Sequence, residues 1–171
     1  MNKNITLYGV IALVVVILIG GGIYYYFTKE EVPVNGELYK NEQYGFKMTF
    51  PDSWKGFTIT EDIWKGWPTT TESGFEDEYE GVKITFGNPK WTLRENWQNI
   101  PIMVFTPDVW KLVVDGKLRV SSVLVLPEKI GENKNFVFAT SPRWTFDNDL
   151  GVEEAIAIVK TFKGFKVTLE E

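Results

Sequence analysis

The sequence predicts an α+β domain, a mainly antiparallel β-sheet flanked by helices, preceded by one N-terminal transmembrane helix. Three observations carry this. Ile5 to Phe27 is a run without a charged residue. Later segments such as Tyr44, Phe46, Met48 and Phe50 alternate with small or polar residues at the period of a strand. Two stretches near the end repeat apolar residues at helical spacing between start and stop signals.

The apolar run comes first. Its 23 residues would make a helix roughly 34 Å long, enough to cross a hydrocarbon core of about 30 Å with modest tilt. Lys3 precedes it, and Tyr24, Tyr25, Tyr26 and Phe27 end it as an aromatic belt. The positive-inside rule then puts the N-terminus in the cytoplasm and the rest outside the cell membrane. Two competing readings are a cleaved signal peptide, with Gly20, Gly21 and Gly22 as the small-residue zone, and an N-terminal helix for filament assembly, which lacks a processing motif. The expected organisation is a cytoplasmic tip and anchor over 1–28, a linker over 29–36 (KEEVPVNG from Lys29) and an extracytoplasmic domain over 37–171.

Within that domain, Leu38-Tyr39-Lys40 and Tyr44–Phe50 read as a hairpin reversed at Asn41–Gly45. Pro51 ends the second strand, and Asp52-Ser53-Trp54 turns the chain towards a third near Phe57–Trp64. Thr69–Glu80 is polar and acidic and reads as a long loop. Val82, Ile84 and Phe86 resume the alternation. Ile102 to Phe105 is apolar at every position, the mark of a strand covered on both faces, so helices are expected on at least one face.

The first helix is expected after Thr106-Pro107-Asp108, which supplies a capping hydroxyl, a proline at the first helical position and an acid near the positive end of the dipole. The second is expected over about 151–161, with Glu153 and Glu154 in its first turn and Lys160 in its last. Strands are expected at Leu118–Leu126 and Asn135–Thr140, with an edge at Phe165–Val167. Thr92-Leu93-Arg94-Glu95 fits a capping box for one short helical turn.

Composition narrows the chemistry. The 171 residues contain no His and no Cys, which removes Ser-His-Asp and Cys-His catalysis, thiolate metal sites and disulfides. After Thr28, 17 basic residues face 23 acidic ones, a surface repelled by nucleic acid and by anionic headgroups. Aromatic residues make up 15% of the chain, seven of them Trp, so most rings are expected in the core, Trp54 and Trp110 among them.

YKNEQYGFKMTFPDSWKG, the closing EEAIAIVKTFKGF, and the middle stretches IPIMVFTPDVW and FVFATSPRWTFDNDLGVEE together resemble PsbP-like domains of small membrane-anchored bacterial proteins. The resemblance covers most of 37–165 and implies an α/β/α sandwich and a binding or assembly-factor function. Photosynthetic members of that family assist photosystem II and are linked to calcium and manganese handling. No His and no matching ligand motif carries that metal role to this chain.

Two groups of residues are candidates for contact with a ligand or partner. Arg143, Trp144, Asp147 and Asp149 put a guanidinium and two carboxylates in one short loop before the last helix, able to clamp a polar ligand. The structural alternative is that Asp149 caps that helix and Arg143 pairs with a nearby acid. Trp64, Trp67 and Trp91 lie in turn-like surroundings, where exposed rings stack on sugars or anchor a protein. The acids at 147–149 with Glu153 lack the spacing of a calcium loop, and Glu76-Asp77-Glu78 with Glu80 reads as a solvated face rather than a catalytic carboxylate pair. The expected function is therefore non-catalytic, with no cofactor and no metal: a membrane-anchored module docking another envelope protein. The alternative is a module that binds or modifies cell-wall glycan through its Trp residues.

Overall fold

The computed structural model describes residues 36–69, 79–122, 125–146 and 148–167. The apolar run 5–27, most of the linker and the acids Glu76, Asp77 and Glu78 lie outside the described residues, as does Asp147. Among the described residues no helix is long and apolar enough to cross a membrane.

Two antiparallel sheets and two helices make an α+β fold. The small sheet has the order β1 (Gly36–Asn41), β2 (Phe46–Pro51), β9 (Lys163–Gly164). The large sheet contains β3 (Thr58–Pro68), β4 (Tyr79–Gly87), β5 (Ile100–Phe105), β6 (Leu118–Arg119), β7 (Glu128–Glu132) and β8 (Val137–Thr140), in the order β6-β3-β4-β5-β8-β7. Helix α1 (Pro107–Val114) follows β5, and α2 (Val152–Lys160) precedes β9.

The expected hairpin forms as β1–β2, but it belongs to a sheet of its own. Asn41 closes the turn: its Oδ1 accepts from the Tyr44 N–H at 2.9 Å, and its carbonyl accepts from Gly45 N–H at 3.0 Å, with Gly45 at φ 72°. Pro51 and a short 3-10 helix, Asp52–Trp54, break the ladder before β3 begins, so β2 lies over the large sheet instead of pairing into it. Its inward residues Phe46, Met48 and Phe50 are all buried and pack with Ile84, Phe86, Ile100, Ile102, Val104 and Phe138.

Helix α2 shares that layer. Ala155, Ile158 and Phe162 join the same core. The Glu154 carboxylate accepts from Ser53 Oγ at 2.5 Å and from Trp54 Nε1 at 3.0 Å, while Thr161 Oγ1 accepts from the Thr49 N–H at 2.8 Å. These bonds join the last helix to the first hairpin and satisfy the indole N–H of a fully buried Trp54.

The other face of the large sheet carries α1. Thr106 caps it, its Oγ1 accepting from the Val109 N–H, and Gly116 at φ 70° follows its end. A second core gathers there from Trp64, Met103, Phe105, Val113, Leu118, Val137 and Ala139, with Trp110 half-buried at its side. Strand β5 thus feeds both cores, as its unbroken apolar run predicts.

Trp64 is a correction. Expected as an exposed ring, it is 95% removed from solvent, because it packs with Phe105 and Val113 in the core under α1. Its indole crosses Gly81, its register partner, and the Nε1–H donates to the Val104 carbonyl at 3.0 Å. The β4–β5 ladder ends at Lys83↔Met103, so beyond that pair the two strands part, and Trp64 satisfies a carbonyl that no β4 amide reaches. The Gly66 and Pro68 that suggest a turn lie within β3, which runs on to pair Trp67 and Pro68 with β6.

Smaller differences have local causes. Among the described residues of the expected strand 118–126, only Leu118–Arg119 is strand. The expected edge at 165–167 forms earlier, at Lys163–Gly164. Strand β7, EKIGE, has no alternation to announce it; a register shift between Lys129 and Gly131 lets Gly131 sit against the Phe162 ring.

Two substitutions test these ties. Glu154→Ala leaves the buried Trp54 N–H without an acceptor and is expected to cost roughly 2–3 kcal/mol in a denaturant titration. A Cβ at Gly81 would lie 2.5 Å from Trp64 Cζ2. Gly81→Ala is therefore expected to cost about 1–3 kcal/mol and to shift the Trp fluorescence, whereas Gly116→Ala, which meets no atom within 4 Å, pays only for its backbone angle, about 1–2 kcal/mol.

Candidate functional site

The loop between β4 and β5 and the loop between β8 and α2 are built against each other by amide side chains. Asn88 fixes the first loop: its N–H donates to Asn99 Oδ1 at 2.8 Å, its Oδ1 accepts from Lys90 N–H at 3.0 Å and its carbonyl accepts from Trp91 N–H at 3.0 Å. Thr92 Oγ1 accepts from the N–H groups of Arg94 and Glu95, so half of the expected capping box forms, but as a bend with no helix after it.

The two loops then meet through a short parallel bridge. Leu150 N–H donates to the Asn96 carbonyl at 2.9 Å, and Gln98 N–H donates to the Leu150 carbonyl at 2.8 Å. Gln98 is 96% buried and its Nε2 donates to the carbonyls of Asn99 and Trp144, at 2.6 and 2.7 Å. Trp97 covers Gly151, whose φ of 75° opens α2; a Cβ there would come within 2.9 Å of the ring. Lys90 Nζ lies 4.6 Å from the Trp97 ring centroid.

Asn96 brings together two residues singled out in the sequence. The Trp91 Nε1–H donates to Asn96 Oδ1 at 2.8 Å, and Asn96 Nδ2 donates to Asp149 Oδ1 at 2.5 Å. Asp149 therefore does not cap α2: the N-cap is Gly151, with no side-chain bond. Arg143 is exposed with φ 50° and makes no ion pair with a described residue. Trp144 is half-buried against the core and contributes its carbonyl. Asn96 and Gln98 carried no signal in the sequence, because an amide's role depends on which backbone groups the fold brings to it.

What this arrangement exposes is apolar. Trp91 is 44% exposed and Leu93 95% exposed on the first loop; Phe146 is 59% and Leu150 45% exposed on the second. Glu95, Arg94, Asn148 and Asp149 supply polar groups on the same two loops. Exposed apolar side chains beside polar ones are the composition of a protein-docking surface.

The remaining rings lie elsewhere. Trp67, 47% exposed, pairs with Arg119 at the far end of β3. Thr58 lies opposite Gly87, just before the Trp91 loop, so the length of β3, about 30 Å, separates Trp67 from that loop. A cleft of about 190 Å³ opens where β4 and β5 part, lined by Tyr44, Trp64, Val82, Phe105 and Phe136, with Glu80 and Thr106 as polar groups. Among the described residues no three acidic side chains gather as a metal site.

Asn96→Ala is expected to free the Trp91 ring and lower stability by about 1 kcal/mol, read as increased quenching of Trp fluorescence by acrylamide and a lower denaturation midpoint. Compared with known proteins, the chain matches no family model, no curated protein and no solved structure, so the geometry alone bears on its function.

Proposed function

We propose that this chain is a non-catalytic binding module that docks another envelope protein, held at the outer side of the cell membrane by the apolar run 5–27. The observation that carries the docking is the set of Trp91, Leu93, Phe146 and Leu150, four exposed apolar side chains on two loops tied to each other. A large ring held in place, as Trp91 is by Asn96, loses little freedom when a partner covers it, and such rings supply much of the affinity in protein interfaces. The PsbP-like motifs agree with an assembly-factor style of function; the chain's lack of His and Cys leaves few routes to catalysis.

The glycan reading is less well supported. A sugar platform needs rings aligned in one groove, whereas Trp64 is buried and Trp67 and Trp91 lie at opposite ends of the large sheet.

Replacing Leu93 with a photo-crosslinking residue in the full chain, in its native cells, tests the docking. The expected result is a discrete protein adduct that disappears when Trp91 and Leu150 are changed to Ala, with no matching adduct from the same residue at exposed Lys111 on α1. Adducts equal at both positions, or adducts to glycan alone, would overturn the reading.

A further inference from the structure

We propose that the outer edge of β3, Thr58–Trp64, receives an extended segment of a partner protein that carries basic residues between apolar ones. This surface is separate from the docking loops and does not depend on them.

Strand β3 has β4 on one side along Thr58–Gly66, but on the other side β6 reaches only Trp67 and Pro68. Over Thr58–Trp64, alternate residues direct N–H and C=O groups away from β4, and none of these meets a described strand. Among the described residues that edge is unpaired over seven residues, roughly 23 Å, with no Pro or Gly to interrupt an added strand.

The side chains say what kind of strand fits. Odd-numbered residues share a face: Ile59 is 42% and Ile63 61% exposed, with Glu61 between them. On the opposite face Thr60 and Asp62 are also exposed, Asp62 standing 3.7 Å from Lys83. Directly opposed residues in neighbouring antiparallel strands point to the same face. An added strand would therefore set apolar residues against Ile59 and Ile63 and a basic residue against each of Glu61 and Asp62. The charge of Glu61 is felt beyond its own strand: the Tyr44 hydroxyl is held above the ordinary phenol range by burial first and by Glu61 second.

A second copy fits less well. Two-fold pairing along the whole free edge is centred on Glu61, which places that carboxylate against its own copy, and like charges directly opposed destabilise a sheet. Acids in mid-edge are a common protection against self-association. Here they also select a basic partner.

The test uses the full chain in detergent micelles with two labelled probe peptides, Thr-Val-Lys-Lys-Thr-Val-Thr and its counterpart with Glu for each Lys. Fluorescence anisotropy is expected to show about a tenfold preference for the basic peptide, the size that two opposite-charge cross-strand pairs provide. The preference should vanish in the double variant Glu61→Gln, Asp62→Asn. Amide exchange read by mass spectrometry should show slowing in 58–64 on adding the basic peptide. Equal binding of both peptides, no binding, or protection elsewhere would overturn the proposal. So would protection of 58–64 without peptide, whether it rises with protein concentration, meaning a second copy, or does not, meaning the chain's own residues.

Discussion

Strand β5 is buried on both faces, and the rest of the fold answers that constraint. Ile100, Ile102 and Val104 point into one core while Met103 and Phe105 point into the other, so each face needs its own apolar cover. On one side the cover is the β1–β2 hairpin together with α2, two pieces from opposite ends of the domain that must arrive together. The Glu154 bonds to Ser53 and Trp54 lock them, and the Thr161 hydroxyl holds β2 a second time. On the other side the cover is α1, which follows β5 directly and needs only its Thr106 cap to start.

A strand with partners on both sides also has to satisfy its backbone. Strand β8 serves one edge of β5 as far as Phe105, but β4 leaves the other edge after Met103. Trp64 fills that gap by reaching across a glycine from the next strand but one. One side chain thus ends the ladder without an orphan carbonyl and floors the cleft beside it. That explains why a Trp flanked by Lys, Gly and Pro is not on the surface.

The parts legible in the sequence were those set by neighbours in the chain. The alternation of Phe46, Met48 and Phe50, the unbroken run of β5, the Thr-Pro-Asp start of α1 and the limits of α2 all follow from local periodicity and capping. The parts that were not legible depend on distant pairing. Nothing in EKIGE marks a strand, because β7 gains its place from β8 and from the room that Gly131 leaves for Phe162. The third strand of the hairpin's sheet, β9, comes from more than a hundred residues away. Of the candidate site residues, Trp91 and Asp149 do converge, through an asparagine that no motif marks; Trp64 turned out to be core, and Trp67 lies apart.

The two exposed surfaces differ in the physics available to them. The loops bearing Trp91 and Phe146 present side chains, so their order must be provided in advance. Asn88 and Gln98 do this by closing main-chain groups that would otherwise need water, and Asn96 by tying the Trp91 ring to Asp149. That closure leaves Gln98 Oε1 without a partner among the described residues, a desolvation cost of about 1–3 kcal/mol accepted for rigidity. The edge of β3 needs no such network, because its main chain is already ordered by β4 and the groups that no described strand meets are the attraction. Charge therefore does different work at the two places. On β3 it stands opposite the incoming strand and sets which strand is accepted. At the loops, Asp149 is engaged by Asn96, which leaves the apolar side chains to set the strength of contact.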